Sequence, residues 1–515
     1  MSTTTQPDLD ASTREAACAA TDTPVIDREA LSERFVQFGE GNFLRAFMDW
    51  MIDLGNAAGL GLGRVAVVQP LPRGMGASLN AQNGLYTVLL RGVQNGEAVD
   101  TARVVQSVSR CIDPYADWQA LMALARQSEL RFAISNTTEA GITYVAEPQP
   151  QDSCPESFPA KLCAFLYERF RAFDGTADKG LILLPCELIE RNGDKLKDCL
   201  RRHAEAWDLP QAFRDWLEVA CPHCNTLVDR IVPGYPADEA DELAARLGYR
   251  DALIAAAEPF LFMAIEGDTA LASELPLQDL GLDVVWTDDM TPYRTRKVRI
   301  LNGGHTVSVL AGFLAGCDTV GEMVGDPTCS AFLQQALQAE ILPHLAVPEE
   351  DKRSFAAAVL ERFGNPHVCH RLLTISLNSV SKYRVRVMPS LKAYHVATHQ
   401  IPPALSFGLA ALLAFYRGTG IEDGALLGDR GGMSYQIKDD PAVLAAFAAA
   451  WSGFASDGNL HKLVYRLLAD RGVWNEDLTA WDGLVETVCT HLSAIMARGC
   501  RSALDDLLAH SSVTA

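Results

Sequence analysis

Between about residues 30 and 290, short runs of β-branched and aromatic residues alternate with longer stretches of helical periodicity. That alternation is the signature of βαβ units and a parallel sheet. The predicted strands are Phe35–Phe38, Val65–Val68, Tyr86–Leu90, Val104–Val108, Phe132–Ser135 and Leu181–Leu184. Beyond 290 the pattern changes to alanine- and leucine-rich amphipathic segments with few strand signals, which predicts a mainly α-helical part. Three regions follow: a disordered Ser/Thr/Ala/Asp-rich leader over 1–30, an α/β domain over 31–290 and a helical domain over 291–515. The leader has neither the basic nor the apolar region of a secretion signal. The apolar stretches 404–416 and 442–451 are too short to span a bilayer, so no membrane segment is expected.

The first predicted strand runs into Gly39-Glu40-Gly41-Asn42-Phe43-Leu44, two glycines turning into a helix expected to start near Asn42. Strand, glycine turn and helix N-terminus together form the place where a Rossmann-like domain holds a pyrophosphate on backbone N–H groups. Leu44 stands where the third glycine of GxGxxG belongs, so the position of the turn carries the reading more than the motif does. The second strand ends at Gln69-Pro70 without the acid that often holds the ribose of NAD, and Arg73 follows, which leaves NAD and NADP both open. A further loop, Asn136-Thr137-Thr138-Glu139, leaves the strand ending at Ser135, again at a strand carboxyl end.

Arg296-Lys297-Val298-Arg299-Ile300-Leu301-Asn302-Gly303-Gly304-His305 carries the strongest candidate chemistry. On an α-helix with Lys297 at zero, His305 falls at about 80° and Asn302 at about 140°, so one side presents all three. Thr291-Pro292 supplies a start signal. A solvated face would also accept Lys and His. Two adjacent helical glycines are costly, however, and call for a close approach, for which a nicotinamide or a sugar is the expected occupant.

The net charge of −21 repels a phosphate backbone and excludes a nucleic-acid partner. Against that background Arg294, Arg296, Lys297 and Arg299 form one basic island, and Lys382, Arg384 and Arg386 a second. Cations so placed suit an anionic small molecule, and a carboxylated sugar better than a neutral polyol. The 13 cysteines are expected to be reduced, buried thiols. Cys221-Pro222-His223-Cys224 has chelating spacing but lacks a second ligand pair, so no metal is expected.

The segments Gln37–Phe47, Ile134–Gly141, Leu184–Ile189, Asn225–Gly234 and Lys297-x4-Asn302-x2-His305 resemble the long-chain mannitol dehydrogenase family over nearly the whole chain. The resemblance implies a zinc-independent, NAD-dependent oxidoreductase with a Rossmann-like N-terminal domain and an α-helical C-terminal domain. It implies Lys297 as general acid/base, Asn302 as the group polarising the substrate oxygen and His305 as the residue orienting the substrate. Phe38, Gly39, Glu40, Gly41, Asn42, Phe43, Asn136 and Thr137 are the expected cofactor residues. Asn192, Asp229, Arg294 and Lys382 are the expected substrate residues. Where mannitol dehydrogenases carry an asparagine in a Ser-Cys-Asp-Asn segment, this chain has Pro185-Cys186-Glu187-Leu188, and Asn192 is the candidate replacement. The expected reaction is reversible reduction of the keto-hexuronate tagaturonate to altronate, with fructuronate or a mannitol-type polyol as alternative substrates and an NAD-binding sensor as the non-enzymatic alternative. A cytoplasmic monomer or homodimer is expected.

Overall fold

The structure, a computed structural model, describes residues 6–511 other than Glu139, Cys369 and Thr419. The first five leader residues and Glu139 of the predicted loop therefore lie outside the described residues. By internal contact the chain divides into a first unit, Met1–Met290, and a second, Thr291–Ala515.

In the first unit β1 (Glu33–Phe38), β2 (Arg64–Val68), β3 (Tyr86–Gln94), β4 (Glu97–Val105), β5 (Val108–Ile112), β6 (Phe132–Ser135) and β7 (Ile182–Pro185) follow in order. Five of them form one parallel sheet in the order β5-β2-β1-β6-β7. Alternate residues go to opposite faces: Phe35, Val65, Val67, Phe132 and Ile134 join one core, and Val36, Phe38, Ala66, Val68 and Ala133 the other. Both faces are covered, which is why these strands read as continuous apolar runs.

Two predicted strands behave differently. Tyr86–Leu90 belongs to β3, which pairs antiparallel with β4 rather than entering a βαβ unit. The cause is Asn95-Gly96, whose φ values of 55° and 79° make a two-residue hairpin turn that the sequence reading passed over. The run Val104–Val108 breaks at Gln106 and Ser107, where the Gln106 N–H donates to the Asp53 carboxylate at 2.7 Å and the Ser107 hydroxyl to the Asp49 carbonyl at 2.8 Å. The expected disordered leader is also corrected. Arg14–Ala20 is helical, and Leu9, Ala17 and Cys18 are buried with Leu89 and Val104 of the hairpin. Four further strands complete the unit: β8 (Asn225–Asp229), β9 (Ala255–Ala257), β10 (Phe262–Glu266) and β11 (Val284–Thr287).

The second unit is mainly helical. The helix Pro403–Phe415 is buried on nearly every side, which accounts for its unbroken apolar run. Among the described residues no helix is long and apolar enough to cross a membrane. A small antiparallel sheet of Ile421–Glu422, Ala425–Arg430 and Met433–Ile437 was not anticipated. Its turns are Asp423-Gly424 and Gly431-Gly432, all at positive φ.

Candidate active site

In the first unit the glycine turn lies at the carboxyl end of β1, where strand order switches between β2 on one side and β6 on the other. Open parallel sheets bind ligands at such a switch point. Gly39 has φ +126°, and a Cβ there would lie 2.8 Å from the Asn136 carbonyl oxygen, so conformation and space both demand glycine. Arg45, almost fully buried, fastens the turn from below, donating to the carbonyls of Glu40 and Leu253 and to the Asn42 side chain. The helix expected to start near Asn42 does so, as a single turn, Asn42–Arg45, after which the chain restarts as Met48–Ala57.

A cavity of about 400 Å³ opens beside the turn, lined by Gly39, Glu40, Gly41, Asn136 and Thr137 together with Pro70, Leu71 and Phe158. Of the predicted cofactor residues, Phe38, Asn42 and Phe43 are not in its lining. Phe38 packs into the core at 5.1 Å from Phe158, and Phe43 stacks on Phe47 at 4.9 Å. The space where a Gly41 side chain would project is open, as a close-approaching ligand requires. Sequence reasoning missed the N-terminus of Phe158–Ala172, which also borders the cavity. The signal was present in Ser157, whose hydroxyl caps the Ala160 N–H, and in the proline of the first turn. Burial raises the Glu40 carboxyl above its ordinary range, which favours its uncharged form next to this space.

The departing segment Pro185-Cys186-Glu187 braces the cavity. Buried Glu187 accepts from the Ser135 hydroxyl at 3.0 Å and from the Thr137 N–H at 2.9 Å, while the Asn136 amide donates to the Cys186 carbonyl at 2.7 Å. Asn192 is corrected from substrate group to clamp. It is fully buried, its NH2 donates to the Pro185 carbonyl at 2.8 Å, and its oxygen accepts from the N–H groups of Thr226 at 2.8 Å and Gly193 at 2.9 Å. That amide has nothing left for a substrate oxygen. Asp229 ends β8 and is buried. Cys221 and Cys224 are buried thiols, each raised to about 12 by burial. Among the described residues no group of three or more His, Cys, Asp or Glu is placed to hold a metal ion.

The second unit holds Arg294, Lys297, Asn302 and His305. Thr291–Arg296 is α-helical, Lys297–Asn302 is π-helical and Gly303–Leu314 is α-helical again. The α-helical geometry expected for this stretch is therefore replaced by a wider turn. In a π-helix hydrogen bonds run i→i+5, so Asn302 lies about one turn beyond Lys297 and nearly in line with it. Lys297, Asn302 and Arg294 are partly exposed. The His305 ring lies flat on Phe363, centroids 4.0 Å apart, and edge-on to His370 at 5.8 Å. Its Nε2 is buried without a partner. Burial, then His370, Arg362, Arg386 and Lys382, push this imidazole down to about 3, so it is a neutral hydrogen-bonding group.

The basic islands divide on inspection. Arg299 donates to the carbonyls of Val385 at 2.6 Å and Arg386 at 3.3 Å, capping the helix Ser379–Arg386. Arg296 stacks over Phe355 at 4.5 Å. Arg384 reaches Asn475 at 3.0 Å. Lys382 and Arg386, one turn apart, are the members of their island that act on His305. Gly303 and Gly304 are also corrected. Cβ atoms there would meet the Arg386 carbonyl at 3.4 Å, and Leu333 and Leu337 at 3.5 Å, which is ordinary contact with protein, so neither position faces the open space that the expected cofactor approach requires.

Comparison with known proteins bears on these two sites together. The pattern of the mannitol dehydrogenase Rossmann domain matches residues 33–279, and that of the mannitol dehydrogenase C-terminal domain matches 289–496. The chain belongs to the mannitol dehydrogenase family. Within that family, the altronate oxidoreductase of Klebsiella pneumoniae (strain 342) is 47% identical over 478 residues, 92% of this chain and 97% of that protein. The altronate oxidoreductase of Yersinia pestis bv. Antiqua (strain Nepal516) is 46% identical over 475 residues, covering 92% and 96%. Pseudomonas fluorescens mannitol 2-dehydrogenase, solved as a ternary complex with NAD and D-mannitol, aligns with TM-score 0.66 at 22% identity over 94% of this chain and 96% of its own. D-sorbitol dehydrogenase in substrate-free form aligns with TM-score 0.76 at 22% identity over 93% and 96%. At that identity the two structures establish a shared mannitol dehydrogenase fold.

Proposed function

We propose that this family member is an oxidoreductase acting on CH–OH groups, and that it reversibly reduces tagaturonate to altronate with NADH. Relatives named altronate oxidoreductase match it at 46–47% identity over nearly their whole length. The observation that carries the substrate class is the cluster of Lys382, Arg386, Arg362 and His370 around the neutral His305. In a chain of net charge −21, such a cluster selects an anion over a neutral polyol.

The turn Gly39–Gly41, the Asn136-Thr137 loop and the N-terminus of Phe158–Ala172 would hold the nicotinamide dinucleotide. The open position at Gly41 and the helix terminus suit a pyrophosphate. Among the described residues the cavity lining holds no lysine or arginine, while Glu40 and Glu156 are present, so a 2′-phosphate gains no partner from it and NAD is the fitting form. When bound, NADH supplies the hydride that reduces the ketone. Charge then builds on the carbonyl oxygen, and donors aimed at that oxygen lower the barrier. The Asn302 amide polarises the oxygen, the Lys297 ammonium transfers its proton to it, and neutral His305 orients the substrate through Nε2. Altronate oxidation runs the same steps backwards, with Lys297 as base. An intracellular NADH supply fits the expected cytoplasmic setting.

The test is NADH oxidation followed spectrophotometrically with tagaturonate, fructuronate and fructose. Fastest turnover is expected on tagaturonate. Faster turnover of fructose would overturn the uronate reading.

A further inference from the structure

The cations of the second unit are not equivalent, and their existing partners separate them. Arg299 is committed to carbonyls at a helix end, Arg296 is stacked on Phe355, and Arg384 is tied to Asn475. Lys382 spends one of its three N–H donors on the Ile375 carbonyl at 2.9 Å. The acid that acts on it, Asp439, is already engaged by the Val380 N–H at 3.2 Å and the Tyr416 hydroxyl at 2.5 Å. Arg386 remains. It is partly buried, and its guanidinium makes one long contact, Nη1 to the Thr306 hydroxyl at 3.5 Å. Among the described residues no carboxylate forms an ion pair with Arg386 or with Lys382. Burial takes part of the water from this guanidinium and lowers its pKa, so an anion that supplied acceptors to its remaining N–H donors would offset that loss.

Position adds a second argument. Thr306 follows His305 in the chain, so the Arg386 fork stands one residue from the group assigned to orient the substrate. Lys382 is one helical turn earlier on the same face. A planar fork and a point charge set one turn apart are the donor set that holds both oxygens of a carboxylate.

We infer that Arg386 is the specificity-determining residue of this enzyme, binding the substrate carboxylate bidentately with Lys382 as its charge partner. The inference rests on the keto-uronate reading above and goes further by naming the group that excludes neutral sugars. A hydroxymethyl group in place of the carboxylate leaves the Arg386 donors unpaired, so discrimination comes from that penalty as well as from the attraction.

The test compares kcat/KM for tagaturonate with that for the neutral ketohexose fructose, in wild type, Arg386→Gln and Arg386→Lys. The uronate-to-fructose ratio is expected to fall about 10- to 100-fold in Arg386→Gln, the worth of a charge-assisted hydrogen-bonded contact. Arg386→Lys is expected to fall between, since it keeps the charge and loses the fork. Because fructose turnover reports on the same protein sample, a general loss of fold lowers both rates and leaves the ratio, and Arg386→Lys serves where the glutamine variant does not fold. An unchanged ratio in both variants, with wild type preferring the uronate, overturns the Arg386 assignment alone. A wild-type preference for fructose overturns the substrate reading and the assignment with it.

Discussion

Replacing Gly39 by alanine tests the assignment of the cofactor turn most sharply, because two independent penalties meet at one atom. The backbone is held at φ +126°, where an L side chain costs about 1–3 kcal/mol. The new Cβ would sit 2.8 Å from the Asn136 carbonyl oxygen, which is backbone and cannot rotate aside, and overpacking of that kind costs about 1–3 kcal/mol. The reduced freedom of the unfolded chain returns about 0.4–1 kcal/mol. A net loss near 3 kcal/mol is therefore expected, either as destabilisation of the first unit or as displacement of the turn from Asn136. Thermal unfolding reads the first outcome, and NADH binding by fluorescence titration reads the second, as a Kd at least about tenfold weaker. Gly41→Ala is the matched control. Its φ of −66° is ordinary and its Cβ position is open, so stability should change by less than about 0.5 kcal/mol while the methyl group enters the cavity and weakens NADH. A Gly39→Ala protein that melts and binds NADH like wild type would refute the reasoning.

Other predictions concern single groups. Lys297→Ala should lower kcat by about 100- to 10,000-fold while NADH binding, assigned to the first unit, persists; undiminished turnover would remove Lys297 from proton transfer. His305, held at about 3 against an ordinary 6.5 by burial first and His370 second, stays neutral when folded but takes up a proton when unfolded. It therefore contributes stability above pH 6.5 that is lost as pH falls toward 3, at up to about 1.4 kcal/mol per pH unit. His305→Gln should flatten that limb in urea unfolding compared at about pH 5 and about pH 7, and an identical pH difference in both proteins would contradict it. Asn192→Ala leaves the buried N–H groups of Thr226 and Gly193 without their acceptor, and should destabilise the protein by about 3 kcal/mol. Wild-type stability with reduced kcat would return Asn192 to the substrate.

The sequence was most legible where one physical demand dominates. Strands buried on both faces, such as Phe35–Phe38 and Phe132–Ser135, show as unbroken apolar runs, and the glycine turn shows because no other residue fits Gly39. Legibility failed where a local signal was outweighed or unread. Asn95-Gly96 turns a predicted parallel strand into a hairpin, and the polar leader hides Leu9, Ala17 and Cys18, three apolar anchors that pack with the hairpin while most of the leader stays exposed. At the site, residue types pointed to Lys297, Asn302 and His305, but partner commitments are not written in composition. Arg299 and Arg386 look alike in the sequence, and only the carbonyls around Arg299 show that it is spent. The π turn was invisible because the pattern over 296–305 is compatible with an ordinary helix.

That wider turn at Lys297–Asn302 makes the spacing of the site a matter of residue count as well as residue type. It acts as a phase slip: the helical stretches before and after it are out of step by one residue, and each has its buried face set for that offset. The six residues of the wide turn advance about as far around the axis as five of an ordinary helix, so removing one residue between Val298 and Leu301 would restore an ordinary ladder and leave the downstream face where it is. Winding the undeleted chain as an ordinary helix would instead turn Asn302 and His305 by about 100° relative to Lys297, although none of the three had changed. The spacing of the site therefore rests on the width of this turn as much as on the residues it carries.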